Sequence, residues 1–258
     1  MDLQLKGKVI LVTGGGKGIG AAICRGAVAE GALAVIVDRD EDAGAKLVRE
    51  LGEEKAKLVI ADLCQAENCR VAVEKAVAFF GRLECLVNNA GINDNVGLER
   101  GTPETFLLSL ERNLLHYYNV AHYALPALKQ SRGAIVNIAS KVAVTGQGGA
   151  SGYVAAKGGI LALTREWAAE LLPAGIRVNA MVPAEVMTPL YEWWVNTFPD
   201  PQQKLSSIAS HIPLGRRMTK PEEIATTVLF LLSPLSSHTT GQHVYVDGGY
   251  THLDRALT

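Results

Sequence analysis

The sequence lacks any apolar run long enough to cross a membrane. A membrane-spanning helix needs about 20 consecutive apolar residues, and the longest apolar stretches here, such as Ala225–Leu232, are far shorter. The opening run, MDLQLKGKV, carries charge where a secretory signal would need an apolar segment. We therefore expect a soluble, cytoplasmic protein with no membrane partner.

The sequence also lacks an excess of charge of either sign. Its 25 lysines and arginines nearly cancel its 26 aspartates and glutamates, which leaves a formal net charge of −1. A protein drawn to nucleic acid or anionic lipid by its overall field needs a basic surplus. We expect no nucleic-acid partner and predict that the partner is a small molecule.

Cysteine is scarce: Cys24, Cys64, Cys69 and Cys85 are the four in the chain. They form no CxxC pair and accompany no cluster of histidines, so the spacing of a zinc site is missing. Disulfides stay formally open, although scattered small hydrophobic residues in a reducing cytosol explain the four better. We expect a site without a metal.

The sequence does contain a repeated alternation of β-branched runs with segments of helical spacing. The runs are apolar throughout, which is typical of strands buried on both faces. They lie at Val9–Thr13, Ala34–Asp38, Lys57–Ala61, Leu83–Asn88, Ala134–Ser140, Ile176–Ala180 and His243–Val246. Helical spacing occurs at Ala21–Glu30, Asp42–Leu51, Ala66–Phe80, Thr105–Leu128, Gly152–Leu172 and Pro221–Leu232.

This alternation predicts an α/β fold, a Rossmann-type doubly wound parallel sheet of about seven strands with helices on both faces. No repeat or linker divides the 258 residues, so we predict one domain, residues 1–258. The segment 184–217 interrupts the rhythm with aromatic residues and the break Pro199-Asp200-Pro201. We interpret it as a substrate lid. A surface helical hairpin packed on the body or on another subunit is a compatible alternative.

A glycine-rich turn, TGGGKGIG, follows the first predicted strand and leads into a helix. Glycine lets backbone N–H groups approach a pyrophosphate at the positive end of a helix. The second strand ends at Asp38, where a carboxylate can accept hydrogen bonds from the adenosine ribose and repel the 2′-phosphate of NADP. The expected contacts from this region are Gly14, Lys17, Gly18, Ile19, Gly20 and Asp38.

The cofactor prediction is NAD, with NADP left open because Lys17 and Arg39 could reach a 2′-phosphate. Their alternative interpretation is ordinary surface charge. Asp62 and Leu63 follow the third strand, where the carboxylate can accept from the adenine amino group. Asn89 and Ala90 follow the fourth strand and are expected to line the cofactor floor. The neighbouring Asn88 fits a structural bond between strands at least as well.

Six motifs together resemble the short-chain dehydrogenase/reductase family. They are TGGGKGIG, NNAG, Asn113, Ser140, the pair Tyr153 and Lys157, and a terminal DGG, and they follow the family's order over essentially the whole chain. The resemblance implies a catalytic group of Asn113, Ser140, Tyr153 and Lys157. It also implies that the backbone at Val186 contacts the nicotinamide and that Thr188 binds its carboxamide.

The spacing of Tyr153 and Lys157 supports that implication, because residues four apart share one face of a helix. A free tyrosine has a pKa of about 10, which the Lys157 ammonium and a positive nicotinamide ring are expected to lower. The resemblance also implies that Lys157 holds the nicotinamide ribose, that Ser140 donates to the substrate oxygen, and that Asn113, inside a predicted helix, anchors a water of the proton relay.

One departure from the family lies after the sixth strand, where Pro183-Ala184-Glu185 replaces the usual Pro-Gly. This brings Glu185 towards the reacting end of the cofactor, although a solvated carboxylate is an open alternative. Asn93, Gln147 and Glu185 are the predicted substrate contacts, since a sugar needs several fixed polar partners. Gln147 could instead cap a helix, and Asn93 could only shape a turn.

Within the family, the runs SLERNLLHYYNVAHY, AVTGQGGASGY, PAEVMTPLY and VDGGYTHLDRAL resemble bacterial L-fucose dehydrogenases. The resemblance implies oxidation of L-fucose, or a like-configured sugar such as L-galactose or D-arabinose, to the lactone with NAD. The alternatives are a 3-oxoacyl thioester reductase, a steroid or alcohol dehydrogenase, and a non-catalytic NAD-binding sensor. The family resemblance further implies a homotetramer, in which the tail Tyr250–Thr258 could cover a neighbour's active site.

Overall fold

The computed structural model describes residues 2–253. Its strands are β1 (Val9–Thr13), β2 (Leu33–Asp38), β3 (Ala56–Ile60), β4 (Cys85–Asn88), β5 (Ala134–Ile138), β6 (Arg177–Pro183) and β7 (His243–Val246). Its helices are α1 (Gly18–Ala29), α2 (Glu41–Leu51), α3 (Ala66–Phe80), α4 (Pro103–Leu110), α5 (His116–Ser131), α6 (Val142–Thr145), α7 (Ser151–Glu170), α8 (Pro189–Val195), α9 (Pro201–Ser210) and α10 (Pro221–Leu232). The strands form one parallel sheet in the order β3-β2-β1-β4-β5-β6-β7. The predicted doubly wound sheet is confirmed.

The central strands are apolar because helices cover both faces of the sheet. In β1, Val9 and Leu11 pack into one buried cluster, while Ile10 and Val12 pack into the other. The first cluster contains residues of α3, α5 and α7, and the second contains residues of α1 and α10. Successive side chains of a strand point to opposite faces, so a strand between two helical layers needs an apolar residue at each position.

Two asparagines bridge β4 and β5 inside this core. Asn88 Nδ2 donates to Asn137 Oδ1 at 3.0 Å, and Asn137 Nδ2 donates to Thr164 Oγ1 of α7 at 3.0 Å. All three residues are buried, and a buried polar group costs free energy unless it is hydrogen-bonded. The structural interpretation of Asn88 is therefore the one that the fold supports.

The long helix predicted over residues 105–128 is interrupted. A π-helical turn, Glu111–Leu115, separates α4 from α5. The buried Asn113 lies in this turn, where its Oδ1 accepts from Ile92 N at 2.7 Å and its Nδ2 donates to Ser109 O at 3.0 Å. π-helical turns are rare overall, and those that occur often lie at functional sites. Helical periodicity does not distinguish one π turn from a regular helix, so the prediction missed it.

The predicted lid, residues 184–217, contains two short helices, α8 and α9. Each begins with a proline at its first turn, and the side chains of Thr188 and Asp200 accept hydrogen bonds from Tyr191 N and Gln203 N. Proline and a polar N-cap together favour a helix start. Of the tail that was expected to cover a neighbouring site, residues 254–258 lie outside the described residues.

No helix between residues 2 and 253 combines the length and the hydropathy that a bilayer crossing requires.

The four cysteines are free thiols, and Cys24, Cys69 and Cys85 are buried. Burial raises the pKa of each of these three thiols to about 12, so they remain protonated near neutral pH.

The close approach of α1 to the turn after β1 depends on Gly20. A Cβ at this position would lie 2.2 Å from the carbonyl oxygen of Gly14, and backbone of a tight turn cannot move aside as a flexible side chain can. We expect Gly20→Ala to lower the free energy of unfolding by about 2 kcal/mol or more, measured by urea denaturation.

Gly158→Ala in α7 is the matched control, because a Cβ there meets no atom within 4 Å. Alanine is favoured over glycine inside a helix by about 1 kcal/mol, so this variant should be at least as stable as the wild type. If Gly20→Ala were also fully stable, the close packing of α1 on the turn would be wrong.

Candidate active site

A cleft of about 580 Å³ opens at the carboxyl ends of the strands. Loops after β1 to β6 contribute to it, as expected for a parallel sheet. Fifteen of the predicted site residues line it: Gly14, Lys17, Gly18, Ile19, Asp38, Asp62, Leu63, Asn89, Ala90, Asn93, Ser140, Tyr153, Lys157, Val186 and Thr188. Four predicted residues do not line it, namely Gly20, Asn113, Gln147 and Glu185.

The glycine turn lines the cleft between Asp38 and Thr188. Gly14 and Gly18 have positive φ angles of 61° and 53°, a region that favours glycine. Asn89 Nδ2 donates to Thr13 O at 2.9 Å and to Gly14 O at 3.0 Å, which ties the turn to the loop after β4. No side chain caps the start of α1. The free N–H groups of its first turn therefore suit an anionic group such as a pyrophosphate.

Asp38 lies at the end of β2, beside the turn. Its Oδ2 accepts from Gly16 N at 2.8 Å and its Oδ1 accepts from Asp40 N at 3.0 Å. A carboxylate can accept about four hydrogen bonds, so two positions remain for ribose hydroxyls. Lys17 Nζ lies 2.5 Å from Asp40 Oδ2, so the lysine that could reach a 2′-phosphate is already paired. Arg39 is exposed and lines the same end.

Asp62, at the far end of the cleft, has an oxygen held by the backbone. Its Oδ1 accepts from Cys64 N at 3.1 Å, and this bond is the main reason that its pKa lies below the usual range. The charged form can accept hydrogen bonds but cannot donate them. This end of the cleft therefore suits an amino group, such as that of adenine.

Lys157 is buried and anchored by two oxygen atoms. Its Nζ donates to Ile138 O at 2.8 Å and to Tyr117 Oη at 3.2 Å, and Tyr117 itself donates to Ile138 O at 2.9 Å. Burial lowers the pKa of Lys157 to about 7, because a low dielectric disfavours the ammonium. The same Nζ lies 5.5 Å from the centroid of the Tyr153 ring.

The predicted lowering of the Tyr153 pKa combined Lys157 with a positive nicotinamide ring, and Lys157 alone does not lower it. Burial raises the pKa of Tyr153 to about 12, and a hydrogen bond with the Ser140 side chain opposes part of that rise. Lys157 does not lower the pKa of Tyr153 because its donors are directed to Ile138 O and Tyr117 Oη. Side chains of the protein alone therefore hold Tyr153 as a neutral phenol near neutral pH.

The three predicted substrate contacts have different environments. Asn93 lines the cleft beside Tyr153 and Ser140. Gln147 is exposed in the loop between α6 and α7 and does not line the cleft. Glu185 lies beneath the lining, where it forms an ion pair with Lys141 and its Oε2 accepts from Tyr191 Oη at 2.6 Å. Of the three, Asn93 is the one that the structure places in the cleft wall.

Several lining residues were missed by the sequence analysis, among them Arg112, His116 and Tyr191. Arg112 precedes Asn113 on the π turn and His116 begins α5, and His116 Nε2 lies 3.0 Å from Arg112 O. Burial lowers the pKa of His116 to about 4, so this imidazole is neutral near pH 7. Their spacing from Asn113 and the position of Tyr191 one turn after Thr188 are signals that could have identified them.

Comparison with known proteins gives one family and several relatives. A family model described as enoyl-(acyl carrier protein) reductase matches residues 14–251. L-fucose dehydrogenase of Bos taurus is 40% identical over 96% of this chain and 91% of its own length. The ligand-free structure of Thermoplasma acidophilum aldohexose dehydrogenase has a TM-score of 0.88 and 30% identity, covering 99% of this chain and 98% of that one. The 3-ketoacyl-(acyl-carrier-protein) reductase of Brucella melitensis, complexed with NADH, has a TM-score of 0.87 and 35% identity, with 96% and 100% covered.

The buried amine of Lys157 should make stability depend on pH. Its pKa is lowered to about 7 from an ordinary value of 10.5, so between these two pH values the unfolded chain binds the extra proton. The free energy of unfolding therefore rises with pH in this window. From pH 7 to pH 9 we expect the wild type to gain up to about 2 kcal/mol relative to Lys157→Met, by urea denaturation without cofactor. An identical pH dependence of the two proteins would contradict the lowered pKa.

Proposed function

Because the chain belongs to the short-chain dehydrogenase/reductase family, we propose that it oxidises an aldose at its anomeric carbon, with NAD as the hydride acceptor. The substrate is L-fucose or a like-configured sugar, and the product is the lactone. The observation that carries the proposal is the convergence of Ser140, Tyr153 and Lys157 on one wall of the cleft. The uncapped start of α1 and the Asp38 carboxylate lie along the same cleft.

The residues present fit NAD at several places along the cleft. The first turn of α1 would hold the pyrophosphate, Asp38 the adenosine ribose and Asp62 the adenine amino group. On the other side of the glycine turn, the Val186 backbone would contact the nicotinamide, Thr188 would bind its carboxamide, and Lys157 would hold its ribose. NAD, when bound there, supplies a hydride acceptor and a positively charged ring beside Tyr153.

In the proposed reaction, Tyr153 takes the proton of the anomeric hydroxyl. Ser140 donates a hydrogen bond to the same substrate oxygen and so fixes its position. Tyr153 by itself cannot act as the base near neutral pH, because burial holds its pKa at about 12 and the phenol keeps its own proton. Added positive charge in the cleft favours the phenolate, so we propose that proton removal requires the assembled site. Asn113 holds the loop after β4 against the π turn through Ile92 N.

A sugar substrate is supported by relatives and by the polar lining. L-fucose dehydrogenase and aldohexose dehydrogenase are named for sugar oxidation, and Asn93, Ser140 and Tyr191 offer polar groups at the substrate end. The reductase relative favours a 3-oxoacyl thioester as the second candidate. Against it, Asp38 disfavours NADP, and a net charge of −1 offers no surplus for an acidic carrier. The intact tyrosine and lysine count against a non-catalytic sensor.

The proposed chemistry predicts a substrate pattern and a loss on mutation. We expect NADH formation with L-fucose, L-galactose and D-arabinose, and little with D-glucose, a steroid alcohol or a 3-hydroxyacyl thioester, followed by absorbance. Tyr153→Phe removes the proton acceptor and should lower kcat by at least about 100-fold.

Tyr118→Phe is the matched control, because Tyr118 is 54% exposed on α5 and does not line the cleft. It should retain wild-type turnover. Full activity of Tyr153→Phe would contradict the assignment of the base, whereas turnover of lipophilic alcohols with no sugar would refute the aldose and leave the base intact.

Asp38 predicts that NAD is preferred to NADP. The carboxylate repels a 2′-phosphate, so kcat/KM should be at least about tenfold higher with NAD than with NADP. Asp38→Asn keeps an oxygen for Gly16 N and removes the charge. It should lower the ratio of kcat/KM with NAD to kcat/KM with NADP. Asp42→Asn, an exposed aspartate in the first turn of α2, is the control and should not change it. A wild type with the higher kcat/KM for NADP would overturn the preference.

A further inference from the structure

A cluster of three polar side chains lies behind the substrate end of the cleft. We call Lys141, Glu185 and Tyr191 the polar cluster. Lys141 and Glu185 form an ion pair whose side chains are 12% and 14% exposed, and Tyr191 Oη donates to Glu185 Oε2 at 2.6 Å. The three residues come from the loop after β5, the loop after β6 and α8.

Backbone contacts fix the frame of this cluster. Lys141 N donates to Pro183 O at 2.9 Å, and Thr219 N donates to Glu185 O at 2.9 Å. Lys141 Nζ also lies 3.7 Å from the centroid of the Tyr250 ring. Burying the Lys141 ammonium and the Glu185 carboxylate costs desolvation free energy, which a well-aligned ion pair must offset. Each Glu185 oxygen accepts one of these bonds, Oε1 from Lys141 and Oε2 from Tyr191.

The bond from Tyr191 to Glu185 determines whether the Tyr191 hydroxyl can donate or accept a further hydrogen bond. A phenol has one O–H to donate and can also accept. Glu185 takes the donated proton in a short bond to a charged acceptor, which is among the stronger kinds. A donor bonded in this way also becomes a better acceptor. The Tyr191 oxygen can therefore only accept from another group, and Tyr191 lines the cleft next to Leu190 and Ala184.

We propose that Glu185 is a positioning residue for specificity, which makes Tyr191 an obligate acceptor for a second hydroxyl of the substrate. This inference rests on the proposed function. A sugar presents hydroxyl donors next to the reacting carbon, whereas an ether, a carbonyl or an alkyl chain presents none. The site then selects a polyol with one free hydroxyl at the Tyr191 position, in addition to the hydroxyl that is oxidised.

The test pairs variants with substrate analogues that lack one donor. The substrates are L-fucose and its single deoxy and single O-methyl derivatives at positions 2, 3 and 4. For the wild type, we expect one position at which both derivatives lose about tenfold in kcat/KM, the value of one hydrogen bond. Tyr191→Phe should lose about the same factor with L-fucose. It should no longer distinguish L-fucose from the deoxy derivative at that position.

Glu185→Gln removes the charge, and its amide can also donate, so Tyr191 regains its O–H for the substrate. This variant should recover part of the activity with the O-methyl derivative, which can accept but not donate. The control is Glu192→Gln, the same change at an exposed residue of α8, and it should behave as the wild type. The KM for NAD should stay within about twofold in all variants, because neither Glu185 nor Tyr191 is among the residues proposed to hold NAD.

The outcomes separate this inference from the proposed function. If the wild type oxidises no sugar, both are wrong. If L-fucose is oxidised but Tyr191→Phe and Glu185→Gln lower activity equally with every derivative and raise the KM for NAD, the cluster only supports the fold and this inference alone is wrong. Loss of discrimination at a single position in Tyr191→Phe supports it even if Glu185→Gln does not fold.

Discussion

The hydrogen bond from Lys157 to the carbonyl of Ile138 is the interaction on which the geometry of the site depends. It joins α7 to the end of β5, so it sets the distance between the helix that carries Tyr153 and the strand that leads to Ser140. Tyr117 of α5 completes the arrangement by bonding to both partners. A buried amine is costly unless its donors are satisfied, and these two oxygens satisfy it. Removing either oxygen would leave a polar group buried without a partner.

The strand order of the sheet explains why Ser140, Tyr153 and Lys157 lie near one another and near the glycine turn. In the order β3-β2-β1-β4-β5-β6-β7, the direction of chain progression reverses between β1 and β4. The loops that leave these two strands diverge to opposite faces, which opens a crevice at their carboxyl ends. Asn89 ties the glycine turn to the loop after β4 at this crevice, and the start of α8 borders it beside Gly18. An elongated ligand with an anionic middle fits such a crevice.

Much of this arrangement could be predicted from local sequence. Uninterrupted apolar runs predicted the strands, because buried parallel strands need them, and the spacing of Tyr153 and Lys157 predicted a shared helix face. The rest depends on contacts between distant parts of the chain. Lys141 and Glu185 are 44 positions apart, so no local pattern indicates that Glu185 is paired instead of facing a substrate. The π turn at Asn113 likewise depends on a bond to Ile92, 21 positions earlier.

Burial shifts the pKa values of the two ionisable groups beside the reacting position in opposite directions. It lowers the pKa of Lys157 to about 7 and raises the pKa of Tyr153 to about 12, so each is driven towards its neutral form. A neutral tyrosine and an amine that is only partly protonated near pH 7 need less solvation than an ion pair, which lets the protein keep them in a buried wall. Positive charge in the cleft favours loss of the phenol's own proton, and Tyr153 can act as a base only after that loss. In the proposed reaction, the nicotinamide ring of bound, oxidised NAD would supply this charge. In the proposed reaction, the same burial that stabilises the neutral tyrosine would therefore make its action as a base depend on a bound, positively charged cofactor.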